Sequence, residues 1–313
     1  MKEKGMKEKY VIGSRGSELA LWQSNWAKAE LEKKYPGFSF EIKIIKTTGD
    51  KVIDVPLSNI GDKGLFTKEI EIALLNNEID MAVHSLKDLP TMLPDGLMIG
   101  AVSERIEQRD VLISKICSRV DDLPIEAKVA TGSLRRKSQL LNFRPDLNIV
   151  DLRGNVTTRL KKFEESDWAG IILAFAGVKR LGLDKYIKQV IPVEIILPAV
   201  SQGVMGIEIR ENDNEVSGIV RELNNKTSEI ETRAERSFLK SLQGGCQVPI
   251  GAYSRIENDT ITLEGMVASI DGKAVIRDKI EGSIGNPEKV GEELAERLLQ
   301  QGAGEVLQLI REN

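Results

Sequence analysis

Short strands, glycine-bounded loops and amphipathic helices alternate along most of this chain, and this alternation restricts the fold more than any other feature. It begins at Tyr10, where a short apolar strand leads through the loop 13–17 into a helix over 18–34. Further on, the sequence predicts a strand over 38–45, a polar and glycine-rich loop over 47–64, a helix over 67–76 and a strand over 79–83. This βαβα order is typical of a mostly parallel sheet with helices on both faces.

The alternation restarts after about Glu104 and predicts a second α/β domain. Its strands are expected near 110–114, 128–131, 148–151 and 170–173, and its helices near 134–143 and 155–164. After Pro192 and Pro198, a further strand over 204–209 and a helix over 214–223 are expected. From about Asn225 the order changes to a helix over 228–242, three antiparallel strands at 250–256, 260–269 and 273–281, and helical turns to Ile310. This last part predicts a small α+β domain.

Length and composition agree with such an arrangement. At 313 residues the chain is expected to form two or three domains of about 100 to 150 residues. It holds 41% hydrophobic and 29% charged residues, and no apolar run approaches the length of roughly 18 residues that a membrane span needs. The first nine residues alternate charge and lead directly into a strand, without the pattern of a signal peptide, so we expect a cytoplasmic protein.

One of the two cysteines, Cys246, lies on a turn directly after Gly244 and Gly245. Glycines leave the sulfur little steric cover and allow a ligand to approach closely, so this position favours a covalent attachment or a nucleophile. The alternative is a small apolar side chain that fills the turn. Cys117 lies beside an apolar strand, and we interpret it as structural. The only histidine, His84, is far from both cysteines in sequence, so no metal site of the usual spacing is predicted.

Positive charge is concentrated between Thr131 and Lys162, where eight basic residues stand against two acids in a chain of net charge -4. Arg135 and Arg136 follow a Thr-Gly-Ser loop at a predicted strand-to-helix junction, and Arg153 precedes a similar one. Guanidinium groups and the amides of a helix N-terminus bind carboxylate or phosphate well, so this stretch predicts an anion site. The alternative is a solvated basic face. In open α/β sheets ligands collect at the carboxyl ends of the strands, which favours one cleft between the domains.

A second group of polar residues, 84–90, follows the predicted strand 79–83 and reads His-Ser-Leu-Lys-Asp-Leu-Pro. In contact with water Asp88 would be a carboxylate at neutral pH, suited to stabilising a developing cation. The structural alternative is that Asp88 caps a turn and that His84 is a satisfied histidine at the end of a strand. A third segment, 61–66, leads from a glycine-bounded loop into a helix. It suggests a lid or a phosphate-binding loop, although it lacks the Walker pattern.

Together these motifs resemble those of the porphobilinogen deaminase family, from about Tyr10 to the last helix. The resemblance lies in six ordered segments: GSRGSELALWQ at 13–23, KGLF at 63–66, HSLKDLP at 84–90, SLRR at 133–136, DLRGNVTTRL at 151–160 and GGCQVP at 244–249. Gly132 departs from the family, whose members often have a serine there.

The resemblance implies an α/β fold with two domains like those of type II periplasmic binding proteins and a small C-terminal α+β domain. The implied boundaries are 1–103 with 199–222, 104–198, and 223–313. It also implies a transferase that joins four porphobilinogen molecules head to tail, with loss of ammonia, on a dipyrromethane cofactor. Water then releases the linear tetrapyrrole, hydroxymethylbilane. A monomer is expected, with neither nucleic acid nor membrane as a partner.

The resemblance also implies roles for individual residues. Cys246 would hold the cofactor through a thioether, and Asp88 would be the catalytic residue that stabilises the pyrrole nitrogens. The other expected cofactor contacts are Lys87, Ser85, Thr131, Ser133, Arg135, Arg136, Arg153 and Asp88. The expected substrate contacts are Arg15, Ser17, Gln23, Lys63, Phe66, Arg153, Arg159 and Arg180.

Two other functions compete with this interpretation. A two-lobed anion-binding or sensor protein without catalysis would fit the fold, but it would not need both Asp88 and Cys246. Nucleic-acid binding through the basic stretch is disfavoured by the sequence pI of about 5.5 and by an aromatic content of only 4%, because such proteins combine a basic field with stacking surfaces.

Overall fold

The first five-stranded sheet combines strands that lie far apart in the sequence. The computed structural model describes residues 7–51, 66–244 and 248–312, and it groups them into two compact units. The first unit runs up to Arg105 and includes Val204–Glu229. Its strands are β1 (Lys9–Ser14), β2 (Ser39–Ile44), β3 (Met81–Ser85), β4 (Leu97–Val102) and β10 (Met205–Arg210), in the order β2-β1-β3-β10-β4. Strand β10 is antiparallel to both of its neighbours, and β1 is parallel to β2 and β3.

Helices cover both faces of this sheet. They are α1 (Glu18–Lys34), α2 (Thr48–Lys51), α3 (Lys68–Leu75) and α7 (Asn214–Val220). One core contains Ala27 of α1, Ile219 of α7 and Val83 of β3, whereas a second contains Ile70 of α3 and Ala82 of β3. Since neighbouring residues of a strand face opposite sides, α3 covers the face that is opposite to α1 and α7.

The second unit contains Ile106–Gly203 and the chain from Ile230 onward. Its first sheet consists of β5 (Asp110–Ser114), β6 (Lys128–Ala130), β7 (Asn148–Val150), β8 (Gly170–Ala174) and β9 (Ile187–Val190). The order is β7-β6-β8-β5-β9, and β5 is antiparallel to β8 and β9. The associated helices are α4 (Leu134–Phe143), α5 (Val156–Glu164) and α6 (Phe175–Arg180).

Both five-stranded sheets therefore follow one order: three parallel strands, one antiparallel strand and a last strand at the edge. This is the strand order of type II periplasmic binding proteins, and the expected fold class is confirmed. The three-domain boundaries stay a prediction.

The C-terminal part of the second unit is a smaller α+β arrangement. Helix α8 (Lys226–Ser241) leads into it from the first unit, and the antiparallel strands β11 (Ile250–Glu257), β12 (Thr260–Ala268) and β13 (Val275–Ser283) follow. Helices α9 (Pro287–Leu298) and α10 (Gly304–Arg311) complete it. Phe238 of α8, Leu263 of β12 and Leu294 of α9 share its core.

Most predicted elements are found, but three were missed. Strand β4 was not predicted, nor were α6 and β9. Residues 48–51, which were predicted as part of a loop, form the short helix α2. The remainder of that predicted loop, 52–64, lies outside the described residues.

Candidate functional site

An open cavity in the first unit gathers residues from three separate parts of the chain. It is small, with a volume of about 50 Å³, and it opens to solvent. Six of the predicted site residues line it: Arg15, Ser17, Gln23, Phe66, Ser85 and Asp88.

The loop between β1 and α1 provides two of these side chains. Ser17 is the N-cap of α1, and its hydroxyl accepts a hydrogen bond from the amide of Ala20 at 3.3 Å. The guanidinium carbon of Arg15 lies 4.2 Å from the centre of the Phe66 ring, which is a cation–π contact. A cation and a helix N-terminus thus stand side by side on one wall of the cavity.

Residues at the end of β3 form another part of the cavity wall. Gln23 of α1 is buried and donates a hydrogen bond from Nε2 to Ser85 Oγ at 2.8 Å. Ser85 leads into a 3₁₀ turn at Leu86–Asp88, with Leu86 buried in a small apolar core. The turn leaves Asp88 exposed at the cavity, so its carboxylate is available to a bound molecule. Lys87 on the same turn is half-buried.

Three buried polar side chains adjoin the cavity, and only one of them was singled out from the sequence. His84 Nε2 is 3.0 Å from Glu208 Oε2 of β10, and both side chains are buried. Glu71 of α3 is buried near them; burial raises the pKa of its carboxyl, and the charge of Glu208 raises it further. Sequence reasoning identified His84 but neither glutamate, because a glutamate within a helix or strand pattern gives no signal of burial.

The basic residues of the second unit include a pair that is fully enclosed. Arg135 and Arg136 of α4 are each 5% exposed, and both bind Asp110 of β5, which is 0% exposed. Arg135 Nη1 donates to Asp110 Oδ2 at 2.8 Å, and Arg136 Nη2 donates to Oδ1 at 2.8 Å. Gln202 Nε2 adds a third hydrogen bond to Oδ1 at 2.9 Å. Burial alone would raise the pKa of Asp110, but the two guanidinium groups outweigh it and hold that pKa well below its usual range.

Backbone carbonyls fix the same two arginines further. Arg135 Nη1 also donates to the carbonyl of Leu197 at 2.6 Å, and Arg136 Nη1 donates to that of Ile172 at 3.0 Å. Two cations share one carboxylate here, so this cluster keeps a net charge of +1 in the interior. Arg136 Nε makes no hydrogen bond to the described residues. The cluster is therefore rigid and electropositive, which suits an anion nearby.

The loops around α4 place the two predicted hydroxyl residues. Ser133 is the N-cap of α4 and accepts a hydrogen bond from the amide of Arg136 at 3.4 Å. Thr131 is buried and accepts one from the amide of Ser133 at 3.3 Å. A side chain at Gly132 would place its Cβ 2.6 Å from the carbonyl oxygen of Leu152, so the departure from the family pattern coincides with a close backbone approach.

The remaining predicted arginines are dispersed over the second unit. Arg153 Nε donates to Asp151 at 3.0 Å, and Arg159 Nε donates to the carbonyl of Gly154 at 2.7 Å. Arg180 is buried and donates to the carbonyl of Gly203 at 2.9 Å, and burial lowers its pKa to about 10. At that pKa its guanidinium is still charged at neutral pH. Lys63 and Cys246 lie outside the described residues.

Comparison with known proteins assigns the chain to a family. Residues 10–218 match the model described as porphobilinogen deaminase, dipyrromethane cofactor-binding domain, and residues 229–300 match the model of the porphobilinogen deaminase C-terminal domain. The chain belongs to the porphobilinogen deaminase family. Porphobilinogen deaminase of Carboxydothermus hydrogenoformans is 53% identical over 306 residues, which cover 98% of this chain and 98% of the relative. That of Moorella thermoacetica is 52% identical and covers 96% of each chain.

This member of the porphobilinogen deaminase family is therefore an enzyme of tetrapyrrole biosynthesis with a dipyrromethane-binding domain. Among solved structures, the methionine-binding protein MetQ is similar, with a TM-score of 0.43 and 14% identity over 73% of this chain and 95% of that chain. No helix among the described residues is long and apolar enough to cross a membrane. The described residues likewise hold no group of three or more potential metal ligands.

Proposed function

We propose that this protein is a transferase that condenses four porphobilinogen molecules, one at a time, onto a dipyrromethane primer and then releases hydroxymethylbilane with water. The family match supports the reaction. The observation that carries the assignment to residues is the cavity of the first unit, because it brings the carboxylate of Asp88 together with Arg15 and Ser17.

The cavity offers complementary groups for each part of the substrate. Porphobilinogen is a pyrrole with acetate and propionate side chains, and its carboxylates would bind Arg15 and the N-terminus of α1 at Ser17. Loss of ammonia from the substrate leaves an electron-poor azafulvene with cationic character. The exposed carboxylate of Asp88 would stabilise that charge and the pyrrole N–H groups, which is the electrostatic contribution expected of a catalytic residue here.

The cationic groups of the second unit fit the dipyrromethane group, whose carboxylates need positive partners. Arg135 and Arg136 carry one more positive charge than Asp110 balances, and Ser133 lies at the N-terminus of the helix they occupy. Thr131, Arg153 and the segment Ser85–Asp88 complete the proposed set of contacts. When bound, the group supplies the terminal pyrrole carbon to which the first substrate is joined. We assign its thioether to Cys246, and the two preceding glycines in the sequence, which leave a sulfur little steric cover, support this assignment.

Arg159 and Arg180 are proposed to bind carboxylates of the growing chain. Lys63 and Phe66 are proposed as further substrate contacts, and the contact between Phe66 and Arg15 supports the second of these. A monomeric state and a cytoplasmic location also belong to the proposal and rest on the sequence.

Intact-mass measurement with peptide mapping tests the attachment. The two cysteines provide matched variants: C246S should lose the adduct, while the wild type and C117S should carry the mass of two linked pyrroles on the peptide that contains Cys246. Formation of hydroxymethylbilane from porphobilinogen is then measured on the same samples. An unmodified wild-type chain that also fails to load when given porphobilinogen would favour a binding protein without catalysis.

A further inference from the structure

A buried contact between a histidine and a glutamate adjoins the cavity that Asp88 lines. His84 also lines that cavity, yet only 6% of the residue is exposed, and its Nε2 lies 3.0 Å from Oε2 of the completely buried Glu208. Neither residue belongs to the proposed set of substrate and cofactor contacts. The pair is therefore a buried polar feature that the proposed mechanism does not use.

Strand register explains how the two side chains meet. In the antiparallel pairing of β3 with β10, His84 stands opposite Gly206, and Glu208 stands opposite Ala82. Directly opposed and alternate residues share a face of the sheet, so His84 and Glu208 are diagonal neighbours on the face covered by α3. Gly206 places no side chain between them.

A second buried carboxyl lies on this face. Glu71 of α3 is 6% exposed, and burial together with the charge of Glu208 raises its pKa. Among the described residues, neither oxygen of Glu208 has a hydrogen-bond partner, nor has Nε2 of His84, so the 3.0 Å approach is the polar contact that each has in the interior.

The position of the pair along the chain connects it to the cavity. His84 immediately precedes Ser85, which Gln23 binds, and the 3₁₀ turn that ends at Asp88 begins one residue later. We propose that the contact between His84 and Glu208 is a positioning device that fixes the end of β3, so that Ser85 and Asp88 face the same cavity as Arg15. This proposal rests on the role of Asp88 in the proposed function.

The chain offers an unusually simple spectroscopic test, since His84 is its only histidine. Holoprotein without a histidine tag, grown with ring-labelled histidine, should give a single set of imidazole signals. We expect Glu208→Gln to shift the ring nitrogen signals, because it removes the carboxyl group that contacts Nε2. Glu71→Gln is the matched control: it changes another buried carboxyl of the same face and should shift these signals much less.

Turnover of porphobilinogen provides the second readout. In Glu208→Gln we expect kcat at pH 8 to fall at least about tenfold while KM changes less than about twofold, because a misplaced Asp88 affects the transition state more than binding. Glu71→Gln should behave like the wild type.

Two results would overturn the proposal: wild-type ring signals and a wild-type kcat in Glu208→Gln, or the same changes in Glu71→Gln. Thermal unfolding shows whether each variant is folded, and if Glu208→Gln is not, Glu208→Asp, which shortens the side chain away from His84, is compared in its place. The ring signals do not depend on turnover. An inactive wild type whose ring signals respond to the change at Glu208 would therefore contradict the proposed function and leave the contact in place.

Discussion

Asp110 determines the charge balance around Arg135 and Arg136. A carboxylate with no exposure is stable only because two guanidinium groups and the amide of Gln202 surround it. The arrangement makes the two arginines a fixed source of positive charge rather than mobile surface side chains. Their predicted role in binding carboxylates stays a proposal. Because both side chains are buried, an anion can bind them only if it reaches this preorganised cluster.

Removing the charge of Asp110 should be costly. In D110N both buried arginines lose their counter-charge, and we expect the free energy of unfolding at pH 7 to fall by about 3 to 5 kcal/mol. Urea unfolding measures it. D121N is the control, because Asp121 forms an exposed ion pair with Arg119 at 3.4 Å, and such pairs contribute less than about 1 kcal/mol.

The same residue makes stability depend on pH in a definite direction. The pKa of Asp110 is lower in the folded protein than in the unfolded chain, so its ionised form stabilises the fold at neutral pH. That contribution is fully present above about pH 4, the ordinary aspartate pKa, and is lost as the pH falls towards the folded-state pKa. The difference in stability between wild type and D110N should therefore shrink below about pH 4. A constant difference down to pH 2.5 would contradict this reading.

Asp88 should matter for turnover and little for folding, because its side chain is exposed at the cavity. D88N keeps the shape and removes the charge, and we expect hydroxymethylbilane formation to fall by at least about 100-fold. Intact mass should show that the adduct on Cys246 remains. D95N, which changes another exposed aspartate of the same unit, should keep normal turnover. Near-normal turnover in D88N would remove Asp88 from the catalytic role.

At the scale of elements, helices were predicted best. The predicted bounds 18–34 and 134–143 agree with α1 and α4, and each helix begins directly after a serine N-cap. Strand β4 was missed although it is apolar, since it contains Gly100. A side chain at that position would place Cβ 2.6 Å from Ile209, so the glycine there serves close packing of the strand and does not break it.

Partners that lie far apart in sequence could not be predicted in the same way. Arg135 stands out in the sequence because it follows a Thr-Gly-Ser loop at a predicted strand-to-helix junction, and Asp88 because it lies in a polar segment directly after a predicted strand. Asp110 and Glu208 do not stand out, since each lies within an ordinary strand pattern. Only the strand order shows that β5 lies beside β8 and that β10 lies beside β3.

A turn of the small C-terminal sheet packs against α4, and a glycine pair tests this contact. Gly272 has φ +72°, and a Cβ there would lie 2.3 Å from the carbonyl oxygen of Ser138; Asn142 also donates a hydrogen bond to its carbonyl at 2.9 Å. Gly182 has a similar φ of +68° but no atom within 4 Å of such a Cβ. Both G272A and G182A should therefore lose about 1 kcal/mol through backbone strain.

The difference between these two variants isolates the packing of the turn on α4. We expect G272A to be destabilised by about 1 to 3 kcal/mol more than G182A, because the added carbon meets backbone atoms that cannot rotate away. Urea unfolding compares the two. Equal destabilisation of G272A and G182A would show that the turn does not depend on close contact with the helix.

At the scale of the whole molecule, the distribution of charge matters more than its sum. The chain carries a net charge of -4, whereas its proposed substrate and cofactor are themselves polyanions. Local excess of positive charge resolves this conflict: the cavity of the first unit contains Arg15, and the cluster on α4 retains one uncompensated cation. Several acidic groups form exposed ion pairs, among them Glu41 with Lys9 and Glu78 with Lys43, and such pairs contribute little to stability.

This distribution predicts that the bound cofactor stabilises the whole protein. A polyanion that binds only the folded state neutralises cations which otherwise repel each other, and covalent attachment keeps it present at any dilution. We expect the wild-type holoprotein to have a free energy of unfolding at least about 3 kcal/mol above that of cofactor-free C246S, as measured by urea unfolding in low salt. C117S, which keeps the adduct, controls for the loss of a thiol. The advantage of the holoprotein should decrease as salt is raised from 0.05 to about 0.5 M, because screening weakens the contribution of solvent-accessible carboxylate–guanidinium pairs. Equal stability of holoprotein and C246S would mean that the arginines are balanced by the protein itself, as Arg135 and Arg136 are in part by Asp110, and that the cofactor adds no net electrostatic stabilisation.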